Sequence, residues 1–191
     1  MNICLYGASS RELESVYYDA AYEFGTLLAA HSHTLVYGGG GQGVMGAAAR
    51  GVREHGGNVV GIAPRFFENT GVLYDNCTEF HFTQTMQDRK RLMMERSQAF
   101  VMAPGGIGTF EEFFEILTLK QLGRHNPAIA VFNVNGYYEP MLEMLRHTVR
   151  LGFAKPVCMD IFSVCDTAED TLSSLESFNP DALDVRHIKN I

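Results

Sequence analysis

The segment AFVMAPGGIGTFEE, residues 99–112, combines a buried strand, a glycine turn and the start of a helix. Its first five residues, Ala99–Ala103, are small or apolar, which is typical of a parallel strand covered on both faces. Pro104 ends that strand, and Thr109 is predicted to cap the following helix. The turn between them contains three glycines, which permit backbone angles and close approaches that a Cβ atom forbids: Gly105, Gly106 and Gly108.

This turn predicts an anion site beside two carboxylates. Backbone amides at the start of a helix, together with the positive end of its dipole, form a site suited to phosphate. Glu111 and Glu112 stand directly beside that site, a combination that suggests chemistry on a phosphorylated metabolite. Glu112 also has a structural interpretation, because Thr109-x-x-Glu112 fits a capping box in which the acid bonds back to the cap amide. The sequence leaves both roles open.

Strand-like apolar runs alternate with helical segments along the chain. This alternation predicts an α/β fold with a Rossmann-like, doubly wound parallel sheet. A length of 191 residues fits a single domain over residues 1–191, with a tail from about residue 179 that we expect to be loosely ordered. The predicted strands are residues 3–7, 34–37, 58–63, 79–82, 99–103, 128–132 and 162–165.

Composition and charge narrow the classes of function. The formal net charge of −7 disfavours general nucleic-acid binding through a basic surface. The chain has no apolar run of about 18 residues, so we expect no membrane span. It opens directly on a strand without a secretory leader, which makes the cytoplasm the expected location. The four cysteines form no CxxC pair and the histidines no HExxH spacing, so we expect free thiols and no metal site.

Three turns at the carboxyl ends of predicted strands are rich in glycine or serine: residues 7–10, 38–46 and 105–109. Ligands of doubly wound sheets bind beyond these strand ends. The second turn contains G-x-G-x-x-G, but a nicotinamide site would need an acid after the following strand, which instead ends in Gly61-Ile62-Ala63. A nucleotide or sugar phosphate approaching the bare backbone is therefore favoured over a dinucleotide.

Arg89 is predicted to point into the protein. It shares a helical face with Met86 and Met93, at positions i−3 and i+4, whereas Arg91 diverges toward solvent. A guanidinium directed inward needs an anionic partner. Arg89 is therefore a candidate to hold a charged substrate group or a buried carboxylate.

Two motifs at matching spacing carry a resemblance to a known family. Residues 104–112, PGGIGTFEE, match the pattern PGGxGTxxE, and Arg89-Lys90 lies at the expected distance upstream. Further matching segments are residues 35–40, 43–46, 121–125 and 133–138. On these residues the chain resembles the Lonely Guy family of cytokinin-activating phosphoribohydrolases, from Cys4 to about Val164.

The resemblance implies hydrolysis of the N-glycosidic bond of a nucleoside 5'-monophosphate, with release of an adenine-type base and ribose 5-phosphate. It implies Arg89 and Glu112 as the catalytic pair, no metal or redox cofactor, and a homodimer or higher homo-oligomer with sites at the subunit interface. The predicted substrate-binding residues, from the motif and the glycine turns together, are Ser9, Gly40, Gly43, Met86, Lys90, Gly105, Gly106, Gly108, Thr109, Glu111 and Thr118.

The chain departs from the family pattern at Gln87, where the family commonly has a histidine that can titrate. Glu68 is the candidate for a family acid that contacts the base or ribose, in a segment that aligns loosely. Two other classes stay open: a nucleotide or cofactor carrier on the same fold, and a dinucleotide-dependent oxidoreductase. Whether the natural base is a prenylated or a plain adenine is also left open.

Overall fold

The computed structural model describes residues 1–182, which form a parallel sheet with helices on both faces. The strands are β1 Asn2–Tyr6, β2 Thr34–Tyr37, β3 Asn58–Pro64, β4 Glu79–Thr83, β5 Ala99–Met102, β6 Ala128–Phe132 and β7 Ser163–Cys165. The helices are α1 Ser15–Ala30, α2 Gly43–Glu54, α3 Met86–Glu95, α4 Ile107–Gln121, α5 Glu139–Arg150 and α6 Ala168–Glu176. Short 3-10 turns span Arg65–Phe67, Val134–Gly136 and Pro156–Met159.

The sheet has the order β4-β3-β2-β1-β5-β6-β7, and every pairing is parallel. The chain builds outward from β1 in one direction and, after β4, crosses back to build outward in the other. β1 is the central strand, where Leu5 pairs with Tyr37 of β2 and with Val101 of β5. The direction of winding reverses between β1 and β5, and a crevice opens there beyond the carboxyl ends of the strands.

Alternate side chains of β1 enter two separate cores. Ile3 and Leu5 are buried with side chains of α1, α2 and α6 on one face of the sheet. Cys4 and Tyr6 are buried with side chains of α3, α4 and α5 on the other face. Because both faces are covered, the strands carry continuous apolar runs. The predicted Rossmann-like, doubly wound sheet is confirmed.

The connection between β3 and β4 is largely irregular, as predicted. The segment predicted as irregular, residues 65–76, contains only the turn Arg65–Phe67 and an isolated bridge between Leu73 and Gly40. All four cysteines are free thiols. No helix among residues 1–182 is long and apolar enough to cross a membrane. The start of the tail forms a turn in which the Ala182 amide donates to the Asn179 carbonyl, and residues 183–191 lie outside the described part of the chain.

Candidate active site

The three glycine- or serine-rich turns, residues 7–10, 38–46 and 105–109, meet at the crevice between β1 and β5. The Ala8 amide donates to the Pro104 carbonyl at 3.0 Å, which joins the turns after β1 and β5. Gly43 lies beneath Ala8 and Ser9, with a positive φ of 67° and no room for a side chain, since a Cβ atom would lie 2.3 Å from the Ala8 carbonyl oxygen. This close approach brings the turn after β2 against the turn after β1.

A buried ion pair lies at the base of the crevice. The Thr85 hydroxyl caps α3 by accepting from the Asp88 amide at 3.0 Å, which sets the start of the helix that carries Arg89. Arg89 is only 8% exposed; its Nη1 donates to Glu112 Oε1 at 2.6 Å and its Nε donates to the Ile62 carbonyl at 3.2 Å. The inward direction predicted for Arg89 is therefore confirmed, and Arg91 is largely exposed as predicted.

The predicted helix cap at Thr109 is wrong. The helix α4 begins at Ile107 with Gly106 as its N-cap, so Thr109 is the third residue of the helix. Glu112 is one turn inside the helix, and its carboxylate bonds Arg89 rather than a cap amide. The capping-box interpretation of Glu112 fails because the glycine turn lets the helix start three residues earlier than a cap at Thr109 would.

Burial and charge act in opposite directions on Glu112. Removal of its carboxyl group from water raises the pKa of Glu112 above its ordinary value of 4.5, and the neighbouring Arg89 guanidinium only partly offsets this effect. A carboxylate of raised pKa held beside a cation can exchange a proton with water closer to neutral pH than an exposed glutamate can. The pair thus supplies a base and a fixed positive charge in one place.

The glycine turn leaves the start of α4 open to a ligand. Gly106, Ile107 and Gly108 are exposed, and the first amides of a helix have no partner within the helix. Gly105 is buried instead, and it has no room for a side chain, since a Cβ atom there would lie 2.1 Å from the hydroxyl oxygen of Thr109. Backbone amides and a positive helix end at this point form an anion site.

Two tyrosines that the sequence analysis assigned no role hold this turn from behind. The Tyr137 hydroxyl donates to the Gly105 carbonyl at 2.8 Å, and the Tyr138 hydroxyl donates to the Ala103 carbonyl at 2.7 Å. Asn133 fixes the segment, because its side-chain oxygen accepts from the Tyr138 amide at 2.8 Å. All three residues lie in the segment 133–138, which matches the family, but a sequence match does not indicate which atoms they contact.

Two adjoining cavities meet at Arg89. One, of about 290 Å³, extends toward the turn after β2 and is lined by Gly40, Met45, Phe67, Val72, Leu73 and Met86. The other, an open cleft of about 410 Å³, extends toward the start of α4 and includes Gly106, Gly108, Thr109 and Glu112. Ser9, Met45, Met86 and Arg89 border both. The predicted site residues Ser9, Gly40, Met86, Gly106, Gly108 and Thr109 are therefore brought together.

Two predicted residues lie away from these cavities, and a third, Glu111, borders both places. Lys90 and Thr118 border an open groove between α3 and α4 that does not include Arg89. Lys90 forms ion pairs with Glu111 and with Glu115, the latter at 2.8 Å. Glu111 borders both the groove and the cleft at the start of α4.

Gln87, where the chain departs from the family pattern, and Glu68, the candidate for a family acid, also lie outside the two cavities. Gln87 is exposed and borders the same groove as Lys90. Glu68 is exposed and its carboxylate bonds the Arg65 guanidinium at 3.5 Å, while the neighbouring Phe67 lines the smaller cavity. Sequence reasoning missed Phe67, Val72 and Leu73 because the segment from 65 to 76 has no periodicity from which a direction could be inferred.

The fold and the site define a Rossmann-like α/β protein with a buried arginine–glutamate pair at the point where the sheet reverses its winding. The family model described as "possible lysine decarboxylase" matches residues 45–175. Cytokinin riboside 5'-monophosphate phosphoribohydrolase LOG3 of Arabidopsis thaliana is 35% identical over 178 residues, covering 93% of this chain and 83% of the relative. LOG4 of the same plant is 34% identical over the same shares of the two chains. The chain belongs to this family, the Lonely Guy (LOG) family.

Solved structures agree with the fold. The molybdenum cofactor binding protein from the phototrophic bacterium Rippkaea orientalis matches with a TM-score of 0.71 and 20% identity, covering 92% of this chain and 95% of that one. The molybdenum cofactor carrier protein MCP from Chlamydomonas reinhardtii matches with a TM-score of 0.69 and 19% identity, covering the same shares. At this identity the likeness shows a shared fold and nothing about the ligand.

Proposed function

We propose that the protein hydrolyses the N-glycosidic bond of nucleoside 5'-monophosphates, releasing an adenine-type base and ribose 5-phosphate. The observation that carries the proposal is the buried Arg89–Glu112 pair between an apolar cavity and a helix start suited to phosphate. The names of the LOG3 and LOG4 relatives state the same activity for those proteins. An apolar cavity, a charged pair and an anion site in a row match the base, ribose and phosphate of a nucleotide.

The phosphate is placed at the start of α4. A Cβ atom added at Gly106 or at Gly108 would have no atom within 4 Å, so the turn faces open space that a phosphoryl group can enter. The helix dipole adds a favourable field for a dianion at this end. The phosphate does not take part in the reaction. Its binding energy holds the ribose in position for cleavage of the bond to the base.

The base is placed in the apolar cavity. Its apolar lining suits the faces of a purine and a hydrocarbon substituent on the purine. The lining consists of Met45, Phe67, Val72, Leu73 and Met86, among other residues. Methionine side chains adapt to different shapes, so the cavity is compatible with both plain and prenylated adenine.

The reaction passes through a transition state in which the ribose ring carries positive charge, as in glycoside cleavage generally. The Glu112 carboxylate stabilises that charge and accepts a proton from the attacking water. The Arg89 guanidinium orients Glu112 and offsets negative charge on the departing base, which takes up a proton from water as Glu112 returns its own to the solvent. Each of these steps uses groups already fixed in the crevice.

We also propose a homodimer, or a higher homo-oligomer, in a cytoplasmic location. Large apolar side chains are exposed in two segments that line the site: Ile107, which borders the cleft, is 88% exposed, and Phe66, next to Phe67 of the smaller cavity, is 61% exposed. A second subunit placed over this rim would cover them and exclude water from the cleft. Sedimentation analysis of the wild type and Ile107→Glu tests this, and an unchanged monomer in both would refute it.

The test is chromatography of the purified protein incubated with AMP and, separately, with isopentenyladenosine 5'-monophosphate. Release of free base that Arg89→Ala abolishes supports the proposal, and the ratio of the two rates ranks the substrates. Binding of both nucleotides without cleavage would refute it in favour of a carrier protein. Glu95→Gln, an exposed acid on α3, is the matched control that retains activity.

A further inference from the structure

Three side chains with metal-binding atoms converge at the end of the sheet opposite the active site. His31 and His33 lie in the turn between α1 and the amino end of β2, and Glu176 is the last residue of α6. His31 Nδ1 lies 2.9 Å from Glu176 Oε1, and His33 Nε2 lies 2.8 Å from the same oxygen. Across the three residues, these ligand atoms all lie within 4.8 Å of one another.

The fold places these side chains together. The His33 amide donates to the Leu28 carbonyl at 2.8 Å, which closes the turn at the end of α1. Between the two histidines Ser32 adopts a left-handed φ of 57°, a conformation that L-residues other than glycine seldom adopt. Leu28 of α1 and Leu175 of α6 belong to the same buried cluster, so the end of α6 is held against this turn.

The donor set is suited to a divalent transition metal. Two imidazole nitrogens and one carboxylate oxygen are the ligands of many zinc and non-haem iron sites, in which further positions are filled by water. Metal–ligand bonds of about 2.0–2.1 Å place tetrahedral ligand atoms about 3.3 Å apart, so the three atoms need only small movements. The side chains of His31 and Glu176, 47% and 36% exposed, are free to make them, whereas His33 is held at 11% exposure.

Hydrogen bonding alone explains this arrangement of His31, His33 and Glu176 less well than a shared metal ion does. The two imidazole rings are tilted by 46° with centroids 6.2 Å apart, so the rings converge on one point rather than stack. Both direct a nitrogen at the same carboxylate oxygen, and exposed pairs of this kind contribute little stability. The second ring nitrogen of His33, Nδ1, lies 3.1 Å from the Met1 nitrogen, a contact that restrains the ring.

We propose that His31, His33 and Glu176 bind one divalent transition-metal ion of the Zn²⁺ class, which joins the α1–β2 turn to the end of α6. The site is structural, because it lies at the amino ends of the strands while Arg89 and Glu112 lie beyond their carboxyl ends. It is separate from the proposed hydrolysis, and either proposal can fail without the other. The spacing His31-x-His33 carries no motif by itself, since the third ligand comes from a residue 143 positions away.

The test is calorimetric titration of the wild-type protein with ZnCl₂, with Co²⁺ absorption as the spectroscopic probe. We expect one equivalent of zinc, and a dissociation constant raised at least tenfold in His33→Ala and in Glu176→Gln. His147→Ala removes an exposed histidine on α5 and serves as the matched control, with unchanged affinity. Zinc is expected to raise the melting temperature of the wild type and of the control, and not of His33→Ala.

Three results would overturn the proposal. The first is wild-type protein that takes up no zinc at millimolar concentration. The second is an affinity that stays the same in the double variant His31→Ala/His33→Ala. The third is a cobalt spectrum with thiolate charge-transfer bands, which would place the ion on a cysteine. Glu176→Gln changes one exposed surface group, so it separates loss of a ligand from loss of the fold if the histidine variants do not fold.

Discussion

Glu112→Gln separates the catalytic from the structural contribution of the buried pair. The substitution keeps the shape of the side chain but leaves the Arg89 guanidinium, 8% exposed, without a counter-charge. Removal of one partner of a buried ion pair costs about 3–5 kcal/mol, and the retained amide oxygen favours the lower end of that range. For a domain of this size, 1 kcal/mol shifts the melting temperature by about 2–4 °C, so we expect a loss of about 6–12 °C.

We expect the same substitution, Glu112→Gln, to reduce turnover strongly even at temperatures where the variant is folded. Loss of a positioned base reduces rates by about 10²- to 10⁴-fold, measured as base released from AMP well below the melting temperature of the variant. The double variant Arg89→Met/Glu112→Gln removes both charges, and we expect it to regain most of the lost stability while staying inactive. Glu95→Gln should match the wild type in both assays. Full turnover in a destabilised Glu112→Gln would refute the catalytic role and leave a purely structural pair.

Two of the three further predictions rest on burial, and one rests on a single hydrogen bond. Because burial raises the pKa of Glu112 and the ionised form is the base, the acid limb of kcat/KM should lie above pH 4.5; a limb at or below 4.5 would contradict this. Tyr137→Phe removes the hydrogen bond to the Gly105 carbonyl, worth about 1 kcal/mol, so KM for AMP should rise about fivefold with little change in kcat; a fall in kcat alone would refute the positioning role. Burial lowers the pKa of Lys120 to about 8, so the unfolded state binds more protons between that value and 10.5, and stability contributed by this residue rises with pH across the window. In urea unfolding, the free energy of unfolding of the wild type minus that of Lys120→Met should therefore rise by up to about 1.4 kcal/mol per pH unit. A difference that stays constant across the window would disprove the prediction.

The fold could be predicted from the sequence because its signals are local. Each strand is a short apolar run bounded by glycine, proline or polar residues, and all seven predicted strands are present in the described residues. The parallel arrangement follows from the helices between them, since parallel strands need a long crossover. The inward direction of Arg89 was also predictable, because the helical period alone puts it on the face of Met93.

The boundaries and contacts of the site were less accessible. The N-cap of α4 was predicted three residues late, at Thr109 instead of Gly106, because the sequence of this turn is compatible with both a threonine cap and a glycine cap. Lys90 matches the family motif and Thr118 is a site residue that the resemblance implies, yet both border a separate groove between α3 and α4. A motif match identifies which positions along the chain correspond to those of the family, but it does not predict where each side chain points.

The sequence by itself determined the class of fold, the family and the identity of the charged residues, because these depend on local periodicity and on spacing along the chain. Only the tertiary structure decided that Arg89 bonds Glu112, that two tyrosine hydroxyls hold the glycine turn, and that three side chains meet at the far end of the sheet. Such contacts join elements that are distant in sequence. Their geometry is set by how helices pack on a twisted sheet, and no local pattern encodes it.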